Sequence, residues 1–282
     1  LAAGIGYLLS KWLNLNPRTL SQVIFYVFSP CLVFNLITHS QLNDSDILRI
    51  MGFAVVVIST VGLLAWISGR ILRLERHMLA AVVITCMFMN AGNFGLPLVN
   101  LAFGGQALIY ASLMFVAMNV LLNTVGVVIA SLGTSTLKKS LLNLFRIPTF
   151  YAAVSGILFL SLGWGLPKPI DRTIKILGDA SIPCMLVFLG MQFRNIQWRG
   201  RGLPMMLVSG IRLVVAPLLA LVFSTMFQLQ GAALQAGIVE VGMPSAVLTT
   251  VIATEFDIEP AFVSAVVFIT TILSPLTLTP LL

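Results

Sequence analysis

Long apolar runs, separated by short polar or Gly- and Pro-marked breaks, make up almost the whole chain. They lie near residues 1–13, 17–38, 47–69, 78–103, 106–132, 147–166, 170–193, 203–227, 231–254 and 260–282. The breaks include LNLNPR (13–18), HSQLNDSD (39–46), FGG (103–105), LPKP (166–169) and EFDIEP (255–260). Such dipeptides and polar clusters punctuate regular structure. Most runs approach the ~20 residues that a helix needs to cross a bilayer. None sustains the period-two alternation of a membrane barrel strand. Backbone groups in lipid must be satisfied internally, which leaves a bundle of transmembrane helices. The first run is too short to span, and it lacks the basic region and small-residue cleavage site of a signal peptide. It is expected to be a first transmembrane helix whose beginning is missing.

The runs repeat. SPCLVFNL (29–36) resembles IPCMLVFL (182–189), and NFGLPLVNL (93–101) resembles EVGMPSAVL (240–248). Both matches are separated by about half the chain and fall in corresponding runs. The spacing predicts two copies of a five-helix unit, residues 1–140 and 141–282. A unit with an odd number of spans inverts when it is duplicated, and inverted repeats are characteristic of secondary transporters. The fold class expected is an all-α integral membrane protein of ten transmembrane helices in two inverted five-helix repeats.

Composition supports the lipid reading. Of 282 residues, 59% are hydrophobic and 9% charged, against about 25% charged in an ordinary soluble domain. A disordered chain is excluded by the same figures. The net charge of +7 comes from short clusters between the runs rather than a basic stripe, so nucleic acid is not an expected partner. Lys11, Arg18, Arg70, Arg73, Arg76, Lys138, Lys139, Arg146, Arg194, Arg199 and Arg201 fall on one side of the bundle. Arg49, Lys168, Arg172 and Lys175 fall on the other. The positive-inside rule then places the first side in the cytoplasm and both termini outside, in a multi-pass cell (inner) membrane protein. The three cysteines lie in apolar runs without metal or disulfide spacing, and no metal site is expected.

Gly95-Leu96-Pro97 and Gly242-Met243-Pro244 sit in the middle of the fourth and ninth runs. Proline removes a backbone donor and crowds the preceding turn, and a nearby glycine loosens it further. Broken helices with unpaired carbonyls and amides are predicted at Pro97 and Pro244. Paired interruptions of this kind mark transport sites. Polar residues gather around them: Asn90, Asn93, Glu240 and, in the eighth run, Arg212. A charge at mid-membrane costs at least ~2.5–3.5 kcal/mol, so it faces a cavity or a partner. Arg212 and Glu240 are candidates to pair with each other. They are equally candidates for an anion-attracting cation and a proton- or ion-coupling carboxylate. Asp179 precedes Pro183 by four residues. Asn35, Asn119 and Asn123 are further cavity candidates, with helix–helix hydrogen bonding as the alternative. His39 and His77 lie in connections and are read as solvated.

At these residues the chain resembles the auxin efflux carrier family, bacterial carriers related to the plant PIN-FORMED auxin exporters. VIFYVFSPCLVFNLI (23–37) looks like the family's second-helix signature. NAGNFGLPL (90–98) is similar to its fourth-helix pattern, and residues 241–282 look like its ninth and tenth helices. The resemblance covers nearly the whole chain. It implies a scaffold of helices 1, 2, 6 and 7 and a moving domain of helices 3–5 and 8–10. Helices 4 and 9 would cross at Pro97 and Pro244, in an elevator-type carrier of organic anions. The short connection between the halves matches the bacterial type, and Glu240 departs from the amide expected at the matching plant position.

The function expected is secondary transport of a small carboxylate. Asn90, Asn93, Gly95, Pro97, Arg212, Gly242 and Pro244 would form the substrate site, with Glu240 for a coupling proton or sodium ion. No cofactor is expected. The bilayer and the substrate are the expected partners, and a homodimer is left open. An enzyme is not expected, because no span holds a histidine, HExxH motif or Ser–Lys pair. A ligand-gated channel or a membrane sensor for such anions is the alternative.

Overall fold

The computed structural model describes residues 2–13, 17–131, 147–192 and 202–282. Among these residues the chain is all helix, apart from turns and one isolated β-bridge. Six helical stretches are long and apolar enough to cross a membrane: Thr19–Thr38, Asp44–Ile71, Ala91–Ala130, Lys168–Met191, Gly202–Met226 and Pro260–Leu281. The basic residues Lys138, Lys139, Arg146, Arg194, Arg199 and Arg201, used above for orientation, lie outside the described residues.

Helix α1 covers Ala2–Trp12. Helix α2 (Pro17–Val23) passes through a π turn, Ile24–Phe28, into α3 (Ser29–Thr38). Asn43 caps α4 (Asp44–Ile71), its side chain accepting from the Asp46 amide at 2.9 Å. Helix α5 covers Arg76–Met87, and after a break and a π turn at Ala91–Gly95 comes α6 (Leu96–Leu121). Gly104, at φ 77°, bends α6 inside the FGG break, a conformation open to glycine and strained for other residues. A further π turn, Leu122–Gly126, leads into α7 (Val127–Ala130). The chain continues as α8 (Pro148–Leu162), α9 (Lys168–Asp179) and α10 (Ser181–Gln192). Then come α11 (Gly202–Gly210), a π turn at Ile211–Val215 and α12 (Ala216–Met226). Helices α13 (Gly231–Gly242), α14 (Leu248–Glu255) and α15 (Pro260–Leu278) close the chain.

Three of the four π turns stand just before a proline: Pro30, Pro97 and Pro217. The proline ring would strike the carbonyl four residues back, which belongs to Tyr26, Asn93 and Leu213 respectively. Each of these lies inside its π turn, where the wider helix opens the clash.

The helices pack as two groups. Helix α1 lies on α10, and α3 lies on α8 and α9. In the other group α4 packs on α5 and α6, α13 on α6 and α12, and α15 on α5 and α14. The π turn Ala91–Gly95 meets α10 and so joins the two groups. Large apolar side chains such as Trp66, Leu101, Met206 and Leu276 are exposed outward, as expected where lipid is the solvent.

Candidate functional site

The chain leaves helix not at Pro97 but at Phe88–Asn90, well before it. Pro97 sits six residues into the helical stretch that resumes at Ala91, and the π turn before it opens the clash with the Asn93 carbonyl. The second break covers Met243–Val247 and contains Pro244. The two breaks cross at Met89 and Ser245, which form an antiparallel bridge, so the crossing takes in Pro244, whose carbonyl is bonded across it, but lies well before Pro97.

Part of the freed backbone is paired across the breaks. The Asn90 amide donates to the Pro244 carbonyl at 2.8 Å, and the Ala246 amide to the Phe88 carbonyl at 2.8 Å. The Ser245 amide donates to Thr270 Oγ1 at 3.2 Å, and Ser245 Oγ donates to the Thr85 carbonyl at 2.8 Å. Each break supplies what the other lacks. Broken backbone is tolerated at this depth because it is satisfied within protein.

Arg212 extends this logic. It projects from the π turn before Pro217 and is 1% exposed. Nη1 donates to the Cys86 carbonyl at 2.8 Å, and Nη2 donates to the Val241 carbonyl. These are end carbonyls of α5 and α13, where helix dipoles concentrate negative potential. One guanidinium therefore clamps both half-helix ends, and its charge is offset there rather than by a carboxylate. The Arg212–Glu240 pair, one of the two readings open from the sequence, is not formed. Glu240 is fully buried near the end of α13, and neither of its oxygens has a hydrogen-bond partner among the described residues. Its carboxylate lies against Gly95, where any Cβ would overlap it.

A cavity of about 750 Å³ opens beside the crossover, between the two helix groups. One wall comes from α2 and the following π turn (Ser21, Gln22, Phe25, Tyr26) and from Phe188 and Leu189 of α10. The other comes from Asn93, Val247, α14 (Leu248, Thr250, Val251, Thr254, Glu255) and α15 (Ser264, Val267, Phe268, Thr271). A smaller recess of about 40 Å³ continues inward past Asn90, Gly92 and Asn93 to Met118 and Ala246. Both resumed helices thus begin beside this space, with Gly92 and Asn93 in the first turn of one and Leu248 at the start of the other. Asn90 is buried, with its Nδ2 lacking a partner among the described residues.

Of the residues singled out above, Asn90 and Asn93 line this space. Gly95, Pro97, Gly242 and Pro244 shape the crossover behind it, and Arg212 and Glu240 lie deeper, away from the cavity wall. Asn119 and Asn123 turn back on their own helix, donating to the Phe115 and Asn119 carbonyls at 2.9 Å each, and line neither space. Asp179 is exposed at the α9–α10 junction. His39 Nε2 lies 3.4 Å from Asp171 Oδ1, tying the end of α3 to α9 at the surface. Thr250 and Thr254, whose hydroxyls donate to the Val247 and Thr250 carbonyls, line the wall without having been singled out. Their spacing of one helical turn was the available signal.

Sequence comparison decides the family. The model for the family described as membrane transport protein matches residues 1–136 and 132–282, which together cover the chain. The chain belongs to this family. Members of this transporter family also include proteins named as auxin efflux carriers, in agreement with the motifs at 23–37, 90–98 and 241–282. An uncharacterized transporter of Methanothermobacter thermautotrophicus is 28% identical over 268 residues, 92% of this chain and 86% of that protein. Another from Methanocaldococcus jannaschii is 26% identical, with the same coverage of both chains. Auxin efflux carrier component 1 of Arabidopsis thaliana is 30% identical over 144 residues, 48% of this chain and 23% of that protein. The protein is a multi-pass membrane transporter and not an enzyme.

Proposed function

We propose that this transporter is a secondary carrier of small organic anions, carboxylates with an apolar body, working by an elevator-type alternating-access movement. Its ten spans form two inverted five-helix repeats, residues 1–140 and 141–282, with both termini outside the inner membrane. The observation that carries the reading is the cavity between the two helix groups, beside which both resumed half-helices begin. Helix starts present unpaired amides and positive dipole ends, which suit an anion. Asn93, with Asn90 behind it, supplies side-chain donors, while Phe25, Tyr26, Phe188 and Val251 fit an apolar body. No lysine or arginine among the described residues lines the cavity, so the backbone provides the positive field.

In this reading, helices α1–α3 and α8–α10 are the scaffold and the other group moves. The wall between them is mostly side-chain contact, which can slide, whereas the crossover is pinned by hydrogen bonds and moves as a unit. Glu240, buried and without a hydrogen-bond partner among the described residues, is the residue where a coupling proton or sodium ion would sit. The test is thermal-shift screening of purified protein against a carboxylate panel, with and without sodium and across pH, because a ligand stabilises by its occupancy of the folded state. A carboxylate that raises Tm in the parent and not in Asn93→Ala supports the site. A panel without any stabilising carboxylate, or equal shifts in both proteins, overturns it.

A further inference from the structure

A second space lies on the membrane-facing side, away from the crossover cavity. It is a groove of about 470 Å³ between α4, α5 and the end of the α6–α7 helix, lined by Leu63, Trp66, Leu79, Val83 and Val128 and reaching Met87. Its mouth carries Arg76. Arg70 stands over the Trp66 ring at 6.0 Å, and Arg73 lies in the turn between α4 and α5, so a basic segment, Arg70, Arg73 and Arg76, runs past the opening, with Arg76 in its lining. His77, beside them, approaches the Asp257 carbonyl at 3.4 Å, and this bounds the cluster on the side of the acidic turn.

The dimensions fit one kind of occupant. From Arg76 to Met87 the α5 wall is ~16 Å long at the helical rise, close to half of a ~30 Å hydrocarbon core. The groove is therefore one leaflet deep, apolar along its length, with an indole and a basic rim at headgroup level. Tryptophan favours that level, and basic pockets between transmembrane helices there suit anionic headgroups.

We infer that this groove is a binding site for an anionic phospholipid, with an acyl chain along α5 and the phosphate on Arg70 and Arg73. The groove ends at Met87, next to the Cys86 carbonyl held by Arg212, so the bound chain buttresses one half-helix of the crossover from outside.

Native mass spectrometry of the purified full chain tests this, using dioleoyl phosphatidylglycerol against dioleoyl phosphatidylcholine. The parent should retain the glycerol lipid on the order of tenfold more tightly. Arg70→Gln with Arg73→Gln, both at exposed positions, should bring its retention down to that of the choline lipid. Ser59→Phe, which fills the groove from its exposed edge, should lower retention of both lipids. Equal retention of the two lipids by the parent overturns the inference, as does a preference that survives the double substitution. So does unchanged lipid retention in Ser59→Phe.

Discussion

Replacing Arg212 with methionine removes a charge from the membrane interior, a change that insertion costs alone would favour by ~2.5–3.5 kcal/mol. The structure predicts the opposite sign. Arg212 makes two hydrogen bonds, to the Cys86 and Val241 carbonyls, and bonds to a charged group contribute roughly 1.5–3 kcal/mol each. Their loss, about 3–6 kcal/mol together, exceeds the regained desolvation when the midpoints, ~4.5 and ~3 kcal/mol, are compared, and it leaves two buried helix ends without a donor. The net loss is on the order of 1–3 kcal/mol, or a fall in Tm of roughly 2–10 °C for a chain of this size. Thermal unfolding in detergent reads it directly. Arg212→Lys, which keeps the charge but lacks the planar fork, should fall between parent and methionine variant. An unchanged or raised Tm in Arg212→Met would refute the clamp.

Three further outcomes follow from the crossover and the cavity. Gly95→Ala drives a Cβ into the Glu240 carboxylate and should cost about 1–3 kcal/mol by overpacking. Adding Glu240→Ala should recover most of that loss, and strictly additive losses in thermal melts would contradict the contact. The Asn90 and Ala246 amides, bonded across the breaks, should exchange slowly with deuterium, and exchange as fast as in the 39–43 connection would deny the pairing. Asn93→Ala should lower carboxylate transport while leaving stability within about 0.5 kcal/mol of the parent's. Asn123→Ala, which loses only a bond to its own helix, should transport normally.

The all-helical, membrane-spanning character was readable, because lipid enforces long apolar runs and many breaks are written in Gly, Pro and polar clusters. The caps at Asn43 and the bend at Gly104 fall where those signals put them. The location of the crossing was not readable. Residues Phe88, Met89 and Asn90 carry no local breaker, and their conformation is set by pairing with residues 244–246, a contact far apart in sequence. Pro97, the visible signal, acts on the π turn instead. Arg212 was legible as an expense in need of a partner, but backbone carbonyls leave no trace in a sequence, whereas Glu240 invited pairing. Apart from Gln22, Asn93 and Glu255, the cavity wall is built from Ser, Thr and apolar residues that are ordinary in membrane helices. Only the convergence of α2, α10, α14 and α15 distinguishes them.

The central claim is that substrate binds between two helix groups that move past each other. Counterflow in vesicles containing the purified protein tests it most directly, with a carboxylate that stabilises the parent chain. Unlabelled carboxylate inside should accelerate uptake of labelled carboxylate from outside, and Asn93→Ala should lose that acceleration. Uptake of the labelled compound at a rate indifferent to what the vesicle contains would mean an open pore, and would contradict the carrier.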